Sequence, residues 1–254
     1  MQNFFNNSRR RFIKTAAVGT AAGLSIPQLV SADVTSAKSA RLNINDVILF
    51  QGDSITDWGR DHKAIQPNTT SMLGSGYTIL AAAELLMKHP DKNFKIYNRG
   101  IAGNKVYQLA ERWDADCIAL KPNVVSIHIG VNDYWHTLLN GYKGTVETYT
   151  ADYKTLIERT QKALPGVKII ICEPFALKGT KAVTGAWYPT FDLFRKAAKD
   201  LADQYDLPFV AYQAAFDKAM QKGGDANYWT IDGVHPSVAG EKLMAQTWLE
   251  AVKG

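Results

Sequence analysis

Short apolar runs rich in Val and Ile alternate with longer helical patterns along most of this chain, and this alternation restricts the fold more than any other feature. The runs are four to six residues long, which suits strands buried on both faces of a sheet. Five strands alternating with helices predict an α/β fold with a parallel sheet covered on both faces. The runs are Val47 to Phe50, Phe94 to Tyr97, Val124 to Ile129, Val167 to Cys172 and Pro208 to Ala211.

The segments between and after these runs have the residue spacing of helices. No internal repeat, low-complexity tract or interdomain linker interrupts the pattern, so we predict a single domain over residues 46–254. Residues 33–45 are polar and weakly patterned, and we interpret them as a mature N-terminal arm. The predicted helices are Ile79 to Lys88, Val106 to Leu120, Val146 to Leu164, Phe191 to Tyr205 and Pro236 to Lys253.

Residues 1–32 have the features of a signal peptide. They contain no Asp or Glu, and Ser8 to Lys14 carries three consecutive arginines ahead of the mildly apolar stretch Thr15 to Leu29. Val30 to Ala32 supplies a small-residue cleavage site. The arginines resemble those of a bacterial twin-arginine signal, which implies export to the periplasm or the medium. The alternative is a membrane anchor, but the stretch has about 15 residues where a span needs about 20.

Setting the leader aside changes what the net charge implies. The chain has 29 Lys and Arg against 24 Asp and Glu, and four of the basic residues lie in the leader, which leaves 25 against 24. A nearly neutral domain has no field to gather nucleic acid or an anionic membrane, so neither partner is expected. Cys117 and Cys172 are too few for a disulfide framework, and we interpret them as buried thiols, although pairing between them stays open.

Polar residues directly follow the first three predicted strands. Gln51 to Asp57 follows the first, Asn98 to Asn104 the second and Gly130 to Asp133 the third. The carboxyl ends of parallel strands share one edge of the sheet, where ligands bind in such folds. Near the C-terminus, Asp232 and His235 are close enough for one loop to present both. The carboxylate would then hold one imidazole nitrogen and leave the other to meet a hydroxyl group.

These four segments resemble, in the right order, the four sequence blocks of the SGNH, or GDSL-type, hydrolases. The resemblance implies a three-layer α/β/α sandwich with a five-stranded parallel sheet, the flavodoxin-like fold of that family. It also implies that Ser54 is the nucleophile, His235 the general base and Asp232 the carboxylate that orients the base. The oxyanion hole would comprise the backbone N–H groups of Ser54 and Gly103 and the side-chain amide of Asn132. No Gly-x-Ser-x-Gly run occurs, which argues against the α/β-hydrolase fold.

Each of these residues also has a purely structural interpretation. Ser54 is suited to cap a helix, Asn132 to close a turn and Asp232 to cap the last helix. Asp53 and Asp57 are expected to brace the turn around Ser54 by hydrogen bonds. The remaining histidines are scattered without the spacing of metal ligands, so neither a metal site nor a cofactor is expected.

Within the family, the closest resemblance is to bacterial acetylxylan esterases and related carbohydrate O-deacetylases. It rests on Gly52 to Asp57, Gly74 to Tyr77, Arg112-Trp113 and His235 to Gly240. The implied activity is hydrolysis of acetyl or other short acyl esters on xylan or another carbohydrate, through an acyl-enzyme on Ser54. Aromatic faces near an open sheet edge suit sugar rings. The candidate substrate-binding residues are Asp53, Trp58, Asn104, Tyr134 and Trp135.

Two alternatives stay open at this stage. One is a lysophospholipase or thioesterase, which would need a long apolar groove for its acyl chain. The other is a non-catalytic carbohydrate-binding protein that has kept the fold. The presence of Ser54, His235 and Asn132 favours an enzyme, because binding alone requires none of them. No oligomeric state is indicated.

Overall fold

A computed structural model describes residues 38–253 of the chain, and the predicted leader lies outside them. A short strand β1 (Ala40–Arg41) precedes a sheet of five strands. The order across this sheet is β3-β2-β4-β5-β6, and every neighbouring pair is parallel. The predicted fold class is therefore confirmed. The five strands are β2 (Val47–Gly52), β3 (Lys95–Asn98), β4 (Val124–His128), β5 (Lys168–Cys172) and β6 (Phe209–Val210).

Helices cover the sheet in two layers. One layer contains α3, α8 and α10, which pack on one another, and the other contains α4, α6 and α7. Within residues 38–253, no helix is long and apolar enough to cross a membrane. The helices are α1 (Ser54–Asp57), α2 (Thr70–Leu73), α3 (Tyr77–Lys88), α4 (Val106–Asp116), α5 (Val131–Leu139), α6 (Val146–Ala163), α7 (Thr190–Gln204), α8 (Tyr212–Lys222), α9 (Ala226–Trp229) and α10 (Val238–Glu250).

The core lies between the sheet and the helices. The side chains of Phe50 and Trp248 are fully buried, and their ring centroids are 4.7 Å apart. The indole N–H of Trp248 donates to Ser126 Oγ at 2.9 Å, which satisfies the one polar atom that this large side chain brings inside. Cys117 and Cys172 are both buried and form no disulfide, as interpreted from the sequence.

Several segments differ from the prediction. The helix predicted to reach Leu120 ends at Asp116, because Cys117 leaves helical geometry and a 3-10 turn follows. The last helix ends at Glu250, and the next residues form β7 (Val252–Lys253), which pairs in parallel with β1. Part of the segment interpreted as an arm is therefore a strand. Helices α1, α2, α5, α8 and α9 lie outside the predicted helices.

The strand order fixes where a site can form. The chain leaves β2 for β3 on one side of it and then crosses to β4 on the other side. At such a reversal the loops after the two central strands diverge and leave a crevice at their carboxyl ends. Ser54 follows β2 and Asn132 follows β4, so both residues lie at this crevice.

Candidate active site

Ser54 is held at the crevice by a tight turn from β2 into α1. Asp53 caps α1 by accepting a hydrogen bond from the N–H of Ile55 at 3.0 Å. A Cβ atom on Gly52 would lie 2.5 Å from the carbonyl oxygen of His128, so only glycine fits between the two strands. The strand therefore runs directly into the helix, and Ser54 remains only half-buried at its start.

A hydrogen-bonded relay connects Ser54 to the loop before α10. Ser54 Oγ lies 2.9 Å from His235 Nε2, and His235 Nδ1 lies 2.8 Å from Asp232 Oδ2. The other oxygen of Asp232 accepts the backbone N–H groups of Val234 at 2.9 Å and His235 at 2.8 Å. One carboxylate therefore fixes both the imidazole ring and the backbone that carries it.

The charges within the relay favour an imidazole that accepts protons. Burial alone would raise the pKa of Asp232, but hydrogen bonds from His235 and Val234 outweigh it and lower that pKa to about 2. Burial alone would lower the pKa of His235, yet the adjacent carboxylate of Asp232 raises it above its ordinary value. Asp232 is thus ionised at neutral pH, and it stabilises the protonated form of His235.

The three donors predicted for an oxyanion hole follow the ends of neighbouring strands: Ser54 follows β2, Gly103 follows β3 and Asn132 follows β4. Among the described residues, no group accepts a hydrogen bond from the backbone N–H of Ser54 or of Gly103. Gly103 has φ +78, a conformation that favours glycine, and it has no side chain to cover its N–H. The Nδ2 amide of Asn132 donates one hydrogen to the carbonyl oxygen of Asn104 at 3.2 Å. Its second hydrogen stays available for a ligand.

Arg112, on α4, holds the strand ends together. From the sequence, it is named only as part of the resemblance to acetylxylan esterases, and no role in the site is predicted for it. Its mostly buried guanidinium bonds the end of β2 and the segment that carries Gly103, and so holds these two parts of the site in register. A charged residue on the inner face of a predicted helix is the signal that could have identified it. Its acceptors are Gln51 Oε1, the carbonyl oxygens of Gly52 and Arg99, Asn104 Oδ1 and Asp116 Oδ2.

Two tryptophans flank the imidazole of His235. The ring centroid of Trp58 lies 5.9 Å from that of His235, and the centroid of Trp135 lies 6.0 Å from it. An open cleft of about 420 Å³ is lined by Ser54, Trp58 and His235, together with Ala102 of the loop after β3. The predicted candidates Trp58 and Trp135 are thus brought beside the relay.

The other three predicted substrate-binding side chains do not lie in the cleft. Asp53 is fully buried, and burial raises its pKa to about 7. Tyr134 is 5% exposed, and its hydroxyl donates to the carbonyl oxygen of Ala186. The side-chain oxygen of Asn104 accepts from Arg112. Contrary to the prediction, Asp53 and Tyr134 are thus buried away from the cleft, and Arg112 occupies the side-chain oxygen of Asn104.

Comparison with known proteins shows which family has sequences similar to this chain. A family model described as GDSL-like lipase/acylhydrolase matches residues 50–243. An acetylxylan esterase from Geobacillus stearothermophilus is 32% identical over 224 residues, which are 84% of this chain and 96% of that protein. An acetylxylan esterase from Xylanibacter ruminicola is 27% identical over 229 residues, which are 80% of this chain and 42% of that longer protein.

Solved structures agree with the sequence comparisons. A protein described as a GDSL-like lipase from Parabacteroides merdae matches with a TM-score of 0.82 and 51% identity, over 84% of this chain and 98% of that one. A variant of an acetyl-xylooligosaccharide esterase from Geobacillus stearothermophilus matches with a TM-score of 0.75 and 32% identity, over 84% and 99% of the two chains. The catalytic mutants solved for that esterase replace a serine, a histidine or an aspartate with alanine.

Proposed function

This chain belongs to the GDSL-like lipase/acylhydrolase family and is a carboxylic ester hydrolase, and from that premise we propose that it removes O-acetyl groups from xylan or another acetylated carbohydrate. The observation that carries the proposal is the relay from Ser54 through His235 to Asp232, with Trp58 and Trp135 close to the imidazole.

The first half of the proposed reaction transfers the acetyl group to Ser54. As Ser54 Oγ attacks the ester carbonyl, its proton passes to His235 Nε2, and the carbonyl oxygen becomes an oxyanion. The N–H groups of Ser54 and Gly103 and the free amide hydrogen of Asn132 stabilise this charge. The bond to the alcohol then breaks, and the sugar oxygen leaves with the proton from His235. Acetyl-Ser54 remains.

The second half restores the enzyme. A water molecule gives a proton to His235 and attacks the acetyl carbonyl, and the same donors stabilise the second oxyanion. The bond to Ser54 Oγ breaks, the serine regains its proton from His235, and acetic acid leaves and ionises to acetate in solution. Asp232 stays ionised throughout and holds the imidazole in the tautomer that can accept at Nε2.

Two observations support a small acyl group on a carbohydrate alcohol. The cleft at Ser54 is open and encloses only about 420 Å³, and aromatic rings near it suit the C–H surfaces of sugars. The Geobacillus acetylxylan esterase has catalytic aspartate and histidine mutants whose sites are three positions apart, and Asp232 and His235 have the same separation. A lysophospholipase or thioesterase would prefer long acyl chains, and a binding protein would hydrolyse nothing.

Release of acetate from acetylated xylooligosaccharides is the direct test. We expect the wild-type protein to release acetate and to prefer p-nitrophenyl acetate over longer acyl esters. Ser54→Ala should lose at least about 10⁴-fold in kcat, because the covalent step is removed. Ser71→Ala, on the exposed part of α2, is the matched control and should retain activity.

The outcomes separate the alternatives. Full activity in Ser54→Ala would show that the nucleophile is assigned wrongly. If the protein preferred long acyl esters and released no acetate from carbohydrate, it would be a lysophospholipase or thioesterase and not a deacetylase. Absence of hydrolysis on every ester would favour the carbohydrate-binding protein.

A further inference from the structure

A second histidine lies beside the proposed oxyanion hole and is paired with a lysine. Lys105 Nζ lies 3.0 Å from His136 Nδ1. Lys105 precedes α4 and is buried, whereas His136 lies on α5 and is half-buried. The proposed esterase reaction uses neither residue.

The chemistry of this contact fixes the protons on the imidazole. A lysine ammonium group has three donors and no acceptor, so His136 Nδ1 must accept and carries no proton. The ring proton of the neutral imidazole is therefore on Nε2. Burial and the positive charge of Lys105 both lower the pKa of His136, so the ring is neutral at neutral pH.

Lys105 is itself held in place. Its Nζ donates to Gln108 Oε1 at 3.1 Å and lies 5.1 Å from the ring centroid of Tyr142 and 5.6 Å from that of Tyr107. Burial lowers the pKa of Lys105, and the nearby carboxyl group of Asp133 opposes that shift. The charged and titratable groups around Lys105 are thus His136, Asp133, Tyr107 and Tyr142.

The free nitrogen of His136 is bonded to the ring carbon that lies next to Gly103. His136 is four residues after Asn132 on α5, so the two side chains share one face of the helix. A methyl group on the α-carbon of Gly103 would lie 3.8 Å from His136 Cε1, the ring carbon bonded to both nitrogens. Among the described residues, His136 Nε2 has no hydrogen-bond partner. A fixed, unused donor therefore lies next to Gly103 and Asn132.

We propose that His136 is a specificity-determining residue, whose Nε2–H donates a hydrogen bond to a substrate oxygen next to the acetyl ester. Lys105 is the positioning residue that fixes the tautomer of His136. In a carbohydrate, a hydroxyl or ring oxygen close to the acetylated position supplies the acceptor, and a simple aryl acetate has none there. The inference rests on the proposed function and extends it to recognition of the alcohol.

Substrate preference tests the role of His136. His136→Phe keeps a planar ring but removes the donor. The value of kcat/KM should therefore fall about 3- to 10-fold more for acetylated xylobiose than for p-nitrophenyl acetate, because a factor of this size corresponds to the loss of one neutral hydrogen bond. His136→Gln, whose amide N–H can reach the position of Nε2, should recover part of the difference. His89→Phe, at the far end of α3, is the matched control. Equal losses on both substrates would overturn the proposal.

A pair of small esters separates this inference from the proposed function. The acetate esters of ethanol and of ethylene glycol differ by one oxygen two carbons from the ester. His136→Phe should reduce the preference for the glycol ester even if the wild-type protein releases no acetate from carbohydrate. That combination would leave the role of His136 standing while the carbohydrate proposal fails. An unchanged preference for the glycol ester in His136→Phe would refute the role of His136.

The tautomer can be observed without any substrate. In ¹⁵N NMR spectra of the full-length protein, His136 should show the Nε2–H tautomer and should titrate below the ordinary histidine pKa. In Lys105→Met its pKa should rise and both tautomers should appear, whereas Lys154→Met, on the exposed face of α6, should match the wild type. Ordinary titration of His136 in the wild type would refute the role of Lys105.

Discussion

At the scale of single residues, the orientation of Asn132 has a direct kinetic consequence. Its amide is fixed by Asn104 before any substrate binds, so it can stabilise the oxyanion without reorganising. We expect Asn132→Ala to lower kcat by about 10²- to 10³-fold, with a much smaller change in KM, because the lost hydrogen bond forms mainly in the transition state. Steady-state kinetics on p-nitrophenyl acetate measure this loss.

Asn140, at the C-terminal end of the same helix, provides the control for Asn132. It is exposed, and its replacement by Ala should leave kcat close to that of the wild type. If Asn132→Ala changed KM alone, its amide would bind ground state and transition state equally, and its assignment to the oxyanion hole would be wrong.

The carboxylate of Asp232 should control the acid limb of the pH profile. His235 must be neutral to take the proton of Ser54, so kcat/KM rises with pH through the pKa of His235. Asp232→Asn removes the charge that raises this pKa, so the limb should move to lower pH. The same change should lower kcat by up to about 10⁴-fold, because an amide no longer selects the correct tautomer.

A profile of kcat/KM between pH 4 and 9 tests this shift. Asp225→Asn, in the cap of α9, is a matched control that should leave the limb in place. An acid limb at the same pH in Asp232→Asn and the wild type would mean that another group sets the protonation of His235.

At the scale of elements, a buried carboxyl group joins the first and last long helices of one layer. The N-cap residue of α3, Gly76, has no side chain, and Glu241 of α10 accepts the N–H of Tyr77 at 2.5 Å instead. Glu241 is 3% exposed, and burial raises its pKa to about 8. The cap therefore holds the start of α3 against the helix that follows the His235 loop.

Replacing Glu241 should change how stability depends on pH. Between the unfolded pKa near 4.3 and about 8, the folded state keeps a proton that the unfolded state has lost, so stability falls as the pH rises. The slope is at most about 1.4 kcal/mol per pH unit. Glu241→Gln lacks the ionisable group but keeps a carbonyl acceptor for Tyr77, so its stability relative to the wild type should increase from pH 5 to pH 8.

Urea unfolding of both proteins over this range measures the difference. Glu250→Gln, at the exposed end of α10, is the matched control and should follow the wild type at every pH. A constant difference between Glu241→Gln and the wild type would show that Glu241 is ionised in the folded protein throughout.

How much of the structure the sequence predicts depends on the range of the interaction concerned. The five strands are predictable because strands buried on both faces are continuous apolar runs. The pairing of Ala40 with Val252 joins the two ends of the described chain, and no local pattern reports it. Tyr134 and Trp135 are neighbours of the same chemical type, yet one packs against Phe194 in the core and the other faces His235. The rotation of α5 about its own axis, which tertiary packing sets, determines which of the two side chains is buried.

The prediction of the active site from the sequence has the same limit. The order of the polar blocks brings Ser54, Gly103 and Asn132 to one edge, because topology alone places the strand ends there. The contacts of Arg112, Lys105 and Glu241 depend on side chains that meet from separate elements, so their importance emerges only from the three-dimensional structure.

At the scale of the whole molecule, the end of the sheet that carries Ser54 is assembled from the loops after β2, β3 and β4 and from the loop before α10. These segments are far apart in the chain, so the cleft exists only after the complete sheet has formed. A translocation route that accepts folded proteins would deliver such a domain with its site already built.

We therefore propose export by the twin-arginine route and predict that it depends on the arginines themselves. Changing Arg9, Arg10 and Arg11 to Lys keeps the positive charge but removes the guanidinium groups, so full-length protein should accumulate inside a bacterial host. Cell fractionation with an esterase assay locates the enzyme, and mass spectrometry should find a mature N-terminus after Ala32 in the wild type. Arg41→Lys is the matched control, and export of the triple variant at the wild-type level would refute the twin-arginine route.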